Sequence, residues 1–250
     1  MVKKLKLEEN NRKNYIQNEY AKYWLNARAN QYKLTPYDQA LVSFLKEISS
    51  SRLLEVGIGT GEVIAENFLE KDMYGVDISD ILIERCQQLF PKIKSSVGDA
   101  ENLIFEDEFF DLCFCLHSSW YFPDINKAIS EMIRVTKKDG YVCFDIQNIL
   151  NKNIKNNFKR HVFENKNLLG KLKKFLRNCI KFIFKKGQTE WGYSVYEVPS
   201  DPVLIINELR LKKIHDFKTY APITKNNTTT LVEINSDFDK YPRIIFLVKA

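Results

Sequence analysis

The hydrophobic positions of this chain change period many times, and each change marks an element. Leu53–Val56, Met73–Val76 and Phe110–Leu116 are short, nearly unbroken apolar runs bounded by polar turns, the pattern of strands covered on both faces. Between them the spacing turns helical. Tyr15, Ile16, Tyr20, Tyr23 and Trp24 mark one face of a helix over 8–31. Thr35-Pro36 opens a second helix, with Leu41, Val42, Phe44, Leu45 and Ile48 as its stripe; Thr suits the N-cap and Pro the first turn. Further helices are predicted from Val63 to about Glu70, from Asp80 to Phe90 and from Pro123-Asp124 through Val135. Strands are predicted over Lys92–Val97 and, after a turn at Lys137–Gly140, over Tyr141–Ile146. A last helix over 199–211 precedes strands at Lys213–Tyr220 and Arg243–Val248, with Asn226–Thr230 as a polar loop between them. Strands alternating with helices predict an α/β chain with a mostly parallel sheet.

The stretch Leu53–Glu62 changes this picture from a fold to a site. Gly57, Gly59 and Gly61 stand at alternate positions between a predicted strand and a predicted helix. Such a turn lets backbone approach a ligand and aims helix N–H groups at it. Glu55 lies inside the strand, where a structural strand would carry an apolar residue; a buried carboxylate needs a partner, and a ligand ammonium could supply it. Asp77 ends the second strand, 20 residues after Gly57. A carboxylate there can accept from both hydroxyls of a ribose. Its alternative role is to cap the next helix, but Ser79 can do that alone.

Charge adds one further feature. The chain of 250 residues has a net charge of +6, yet the segment 151–186 alone carries twelve Lys or Arg against Glu164, leaving the rest net negative. Within it, Leu172, Phe175, Leu176, Cys179, Ile180, Ile183 and Phe184 follow helical spacing, a basic amphipathic helix. Three placements stay open for it: a cap over the site, a dimer interface, or a helix on an anionic membrane surface. RNA binding is a weaker alternative, since no RNA-binding module accompanies the charge. No apolar run approaches a membrane span and the N-terminus lacks a signal-type apolar core, so the expected compartment is the cytoplasm. The five cysteines, Cys86, Cys113, Cys115, Cys143 and Cys179, show no metal-ligand spacing and are expected to be buried thiols.

The acidic-x-Gly-x-Gly-x-Gly order of Glu55–Gly61 resembles the first motif of class I S-adenosylmethionine (SAM) dependent methyltransferases. Asp77, the Asp99-Ala100 pair and the unit from Phe110 to Asp145 follow in that family's order, so the resemblance covers about residues 50–148. It implies a three-layer Rossmann-like α/β fold with a seven-stranded, mostly parallel sheet and an antiparallel last strand. It further implies SAM as cofactor, S-adenosylhomocysteine as product, and a cofactor pocket of Glu55, Gly57, Gly59, Gly61, Asp77, Ile78, Asp99, Ala100 and Leu116. The expected organisation is N-terminal helices on the substrate side over 1–48, a SAM-binding core over 49–148, a basic helical cap over 149–192, and the rest of the core sheet over 193–250.

His117-Ser-Ser-Trp-Tyr-Phe122 follows the fourth strand, and ligands of open α/β sheets bind beyond the strands' carboxyl ends. The segment resembles its counterpart in small-molecule methyltransferases, including those acting on nucleotide-linked sugars. It lacks the Asn/Asp-Pro-Pro-Tyr signature of enzymes that modify base or amide nitrogens, and the acidic metal cluster of catechol-type enzymes. His117 is the candidate base for an oxygen acceptor. Trp120, Tyr121, Trp191 and Tyr193 are candidate walls of the acceptor pocket, and Tyr20, Tyr23 and Arg28 candidates to close over SAM. The expected acceptor is a small, phosphate- or nucleotide-linked molecule of surface-polysaccharide or secondary-metabolite synthesis, methylated at oxygen. A small amine or amino sugar, methylated at nitrogen, is the alternative. No metal is expected, and the expected state is a monomer or homodimer.

Overall fold

The computed structural model describes residues 14–28, 33–166 and 198–250. A π-helical turn, Ile16–Tyr20, runs into α1 (Ala21–Arg28). Then come α2 (Pro36–Lys46), β1 (Arg52–Val56), α3 (Glu62–Asn67), β2 (Asp72–Asp77), α4 (Asp80–Leu89), β3 (Lys94–Val97) and β4 (Phe110–Cys115). They are followed by α5 (Ile125–Val135), β5 (Thr136–Gln147), α6 (Lys152–Lys166), α7 (Pro202–Leu211), β6 (Phe217–Lys225), β7 (Thr228–Glu233) and β8 (Arg243–Lys249).

The strands form one sheet in the order β3-β2-β1-β4-β5-β8-β6-β7. β3 through β5 are parallel; β8, β6 and β7 join antiparallel. Two apolar clusters cover its faces. One joins Ala128, Ile129 and Met132 of α5 and Ile205 and Leu209 of α7 to Phe110, Phe144 and Phe246. The other joins Leu41 and Leu45 of α2, Ile64 of α3 and Ile83 of α4 to Leu53, Phe114 and Ile245. The caps are those the residue types favour. Thr35 and Asp38 form a reciprocal capping box, Ser79 caps α4, and Asp124 accepts from Asn126 and Lys127 at the start of α5.

Three expectations need correction. The sheet has eight strands, not seven. The polar Asn226–Thr230 stretch is the tip of a tight hairpin: Lys225 pairs with Thr228, and Asn226 and Asn227 take φ of 49° and 61°, the left-handed pair a two-residue turn requires. β7, not one of the two predicted strands, is therefore the sheet edge. The Lys137–Gly140 turn is likewise absorbed into β5. The β4–β5 register passes from Phe110↔Thr136 to Leu112↔Tyr141, so these residues bulge opposite Asp111 with Asp139 at a φ of 67°. The predicted amphipathic helix over Leu172–Phe184 lies outside the described residues, and so do Trp191, Tyr193 and Cys179. The other four cysteines are buried thiols.

Candidate active site

The order of the sheet reverses between β1 and β4, and the glycine turn opens at that switch point. Gly57, Gly59 and Gly61 all have positive φ, at 77°, 57° and 88°. Gly57 is held from the other side as well: a Cβ there would come within 2.5 Å of Ser118, so the turn can pack against the end of β4 only without a side chain. Glu55 is buried near the end of β1. Asp77 ties the turn to β2, with Oδ2 accepting from Gly59 N–H at 2.9 Å and Oδ1 from Ser79 N–H at 3.0 Å. Burial pushes its carboxyl above the ordinary value, against the pull of the Ser79, Gly59 and Ile78 N–H groups. A carboxylate has about four acceptor positions, so Asp77 retains capacity for a hydroxyl.

Asp99 and Ala100 follow β3. Asp99 Oδ1 accepts from Glu101 N–H at 3.0 Å, and Ala100 is buried. Leu116 is buried just past β4. The N-terminal helices lie over this end of the sheet. Gln17 donates to Ile78 O at 3.2 Å and accepts from Ser79 Oγ through its carbonyl. Tyr20 packs on Tyr121 with ring centroids 4.8 Å apart and stacks on Trp24 at 5.9 Å. Trp24 Nε1 lies 3.5 Å from where a Gly59 Cβ would be. Trp24 and Gln17, absent from the sequence-derived site, thus face it. Tyr23 is exposed.

His117 is the centre of a polar network that the sequence did not reveal. It takes a left-handed φ of 60°, uncommon for a side-chain-bearing residue, held by its N–H on Asp145 Oδ1 at 2.8 Å. Its ring Nε2 meets Asp38 Oδ1 at 2.5 Å and its Nδ1 meets Arg243 Nη1 at 3.0 Å. Arginine can only donate, so Nδ1 is the acceptor and Nε2–H donates to Asp38. Asp145 is fully buried and also accepts from Arg243 at 2.9 Å and from the Tyr37 hydroxyl at 3.0 Å. Burial works against the Arg243 charge, but Asp145 and Tyr37 outweigh it and hold the guanidinium more firmly protonated than usual. Burial would raise Asp38; the hydrogen bond from His117, with those from Thr35, outweighs it and holds Asp38 below the ordinary value. Arg243 also lies over the rings of Trp120 and Tyr37, at 4.7 and 5.2 Å.

Four elements thus meet at one point: α2 through Tyr37 and Asp38, the end of β4 through His117, β5 through Asp145 and β8 through Arg243. Trp120 and Tyr121, both buried, stand beside them. A period or motif search misses Asp38, Asp145 and Arg243 because each has a plain local explanation, as a cap, a strand carboxylate and a strand-end cation. Among the described residues, no group of three or more His, Cys, Asp or Glu could hold a metal ion, and no helix is long and apolar enough to cross a membrane.

The glycine turn, the β2 carboxylate and the switch point lie together at the ligand end of the sheet, and residues 54–144 match a family model described as a methyltransferase domain. Among curated proteins, a phthiotriol/phenolphthiotriol dimycocerosates methyltransferase of Mycobacterium ulcerans is 32% identical over 105 residues, 39% of this chain and 38% of the relative. A ubiquinone/menaquinone biosynthesis C-methyltransferase of Rickettsia massiliae is 29% identical over 136 residues, 48% of this chain and 55% of its own. The chain therefore spans between about two-fifths and about half of these relatives' lengths. Among solved structures, a SAM-dependent, possible histamine N-methyltransferase of Thermotoga maritima covers 95% of this chain and 98% of its own, with a TM-score of 0.57 and 19% identity. The YcgJ protein of Bacillus subtilis covers 84% and 98%, with a TM-score of 0.56 and 15% identity. Both share the fold.

Proposed function

We propose that this chain transfers a methyl group from SAM to a small acceptor. The observation that carries this is Asp77: a half-buried carboxylate at the end of β2, locked to the glycine turn through Gly59, with capacity for ribose hydroxyls. SAM when bound supplies an already activated methyl electrophile, so positioning accounts for much of the rate. Gly57, Gly59 and Gly61 give the close backbone approach, Glu55 faces the amino-acid end, and Ile78, Asp99, Ala100 and Leu116 hold the nucleoside end. Gln17, Tyr20 and Trp24 exclude water from above.

In the finer assignment the acceptor is anionic, phosphate- or nucleotide-linked and methylated at oxygen, as in surface-polysaccharide or secondary-metabolite synthesis. Its support is the cationic segment 151–186. His117 is then the base. Its Nδ1 lone pair, which Arg243 now occupies, takes the acceptor's hydroxyl proton once Arg243 gives way, while Asp38 holds the ring through Nε2. Trp120 and Tyr121 wall the acceptor, with Trp191 and Tyr193 as further candidates. One observation favours a second reading, N-methylation of a small amine. Two buried carboxylates, Asp38 and Asp145, both bond to His117, and Asp145 also pairs with the Arg243 guanidinium, an excess of negative charge when His117 is neutral.

Calorimetry tests the common part. The wild type should bind SAM, and Asp77→Ala should weaken binding by about 1.5–3 kcal/mol, the scale of hydrogen bonds to a charged group. Equal affinities would refute the assignment.

A further inference from the structure

Gln147 is the last residue of β5 and is 7% exposed. Its side-chain Oε1 is buried and has no hydrogen-bond partner among the described residues. Native structures seldom leave such a group unmet. Its neighbour Asn148 shows the ordinary case, donating its amide to the carbonyls of Phe238 and Tyr241 at 2.6 and 2.9 Å.

The geometry fixes which way Gln147 faces. Side chains alternate along a strand, so Gln147 shares a face with Asp145 and Cys143, the face covered by α2. Its antiparallel partner is Arg243, and directly opposed residues project to the same side. Arg243 in turn lies against Trp120 and bonds to His117 and Asp145. The parallel β4–β5 pairing ends at Cys115↔Phe144, so Gln147, paired only to β8, extends past β4 at the carboxyl edge where ligands of such sheets bind.

We infer that Gln147 Oε1 is a specificity-determining hydrogen-bond acceptor that receives the O–H or N–H of the methyl acceptor, beside the aromatic surface of Trp120. This rests on the methyltransferase assignment and adds the chemistry of its second substrate: a hydroxyl or amine donor carried on an apolar, planar body. A donor-free analogue would leave Oε1 unmet and be rejected, because a buried polar group left unpaired costs more than an absent contact.

The test uses the full chain saturated with S-adenosylhomocysteine, and three probes of one shape: benzyl alcohol, benzylamine and toluene, followed by ligand-observed NMR. The wild type should bind the alcohol or the amine about tenfold more tightly than toluene, one hydrogen bond's worth; which of the two binds tells O–H from N–H. Gln147→Leu and Gln147→Met should shrink the difference to within about twofold, with S-adenosylhomocysteine affinity and melting temperature unchanged or, for melting, raised. Equal binding of all three probes by the wild type, no binding of any, or an undiminished preference in the variants overturns the inference. So does a melting temperature lowered by about 10 °C or more in both variants, which would make the amide a structural group. Failure of the wild type to bind S-adenosylhomocysteine would instead overturn the methyltransferase assignment itself.

Discussion

At the scale of residues, the site holds buried and half-buried carboxylates whose protonation is biased in opposite directions. Asp38 is held below its ordinary 3.8, chiefly because the His117 bonds outweigh burial. A lowered carboxylate stabilises the fold above its unfolded pKa, and that stability is lost as pH falls through the folded one. The wild type should therefore exceed Asp38→Asn in unfolding free energy by about 1–3 kcal/mol at neutral pH. Urea titrations should show that gap closing as pH drops below 3.8. A pH-independent gap would mean that the Thr35 capping bonds, not ionisation, make the difference. Asp77 has the reverse sign: its raised pKa lowers stability as pH rises past the ordinary value, a burden consistent with a binding group.

At the scale of elements, the C-terminal hairpin shows how two polar residues can specify a strand pair. Asn226 and Asn227 both occupy the left-handed region, which Asn tolerates and β-branched residues do not. Asn226→Val should destabilise the fold by about 1–2 kcal/mol in urea unfolding, while Asn227→Gly should be neutral or stabilising. If Asn226→Val is neutral, β7 does not contribute to the cooperative fold. β5 teaches a related lesson. Lys137–Gly140 have turn composition, yet α5 delivers the chain at Thr136 against Phe110 and the strand pairing simply resumes at Tyr141. Local composition described the bulge; the neighbouring strand decided that it interrupts no element.

At the scale of the whole molecule, charge is divided. The basic segment 151–186 leaves the rest of the chain net negative, and it enters after β5, on the ligand side of the sheet. If it selects an anionic acceptor, neutralising Lys155, Lys159 and Arg160, or Lys173, Lys174 and Arg177, should raise the acceptor KM several-fold at low salt. The effect should fade as ionic strength shortens the screening length. Steady-state kinetics with the acceptor found by labelled-SAM turnover reads this directly; an unchanged KM in both sets would assign these cations to solvent.

What the sequence by itself determined follows from local rules. The glycine turn, Asp77, the Thr35, Ser79 and Asp124 caps and the buried strand runs are short-range patterns whose chemistry has few alternatives, so they could be read in order along the chain. The eighth strand was hidden because a two-residue turn of asparagines has the composition of a loop. The network of Asp38, His117, Asp145 and Arg243 joins residues up to 205 positions apart, and no periodicity carries that distance. Gln147 is beyond sequence reasoning for the same reason. Whether a strand-end amide is solvated, satisfied or left facing a substrate depends on what burial removes from water, and only the packed molecule decides that.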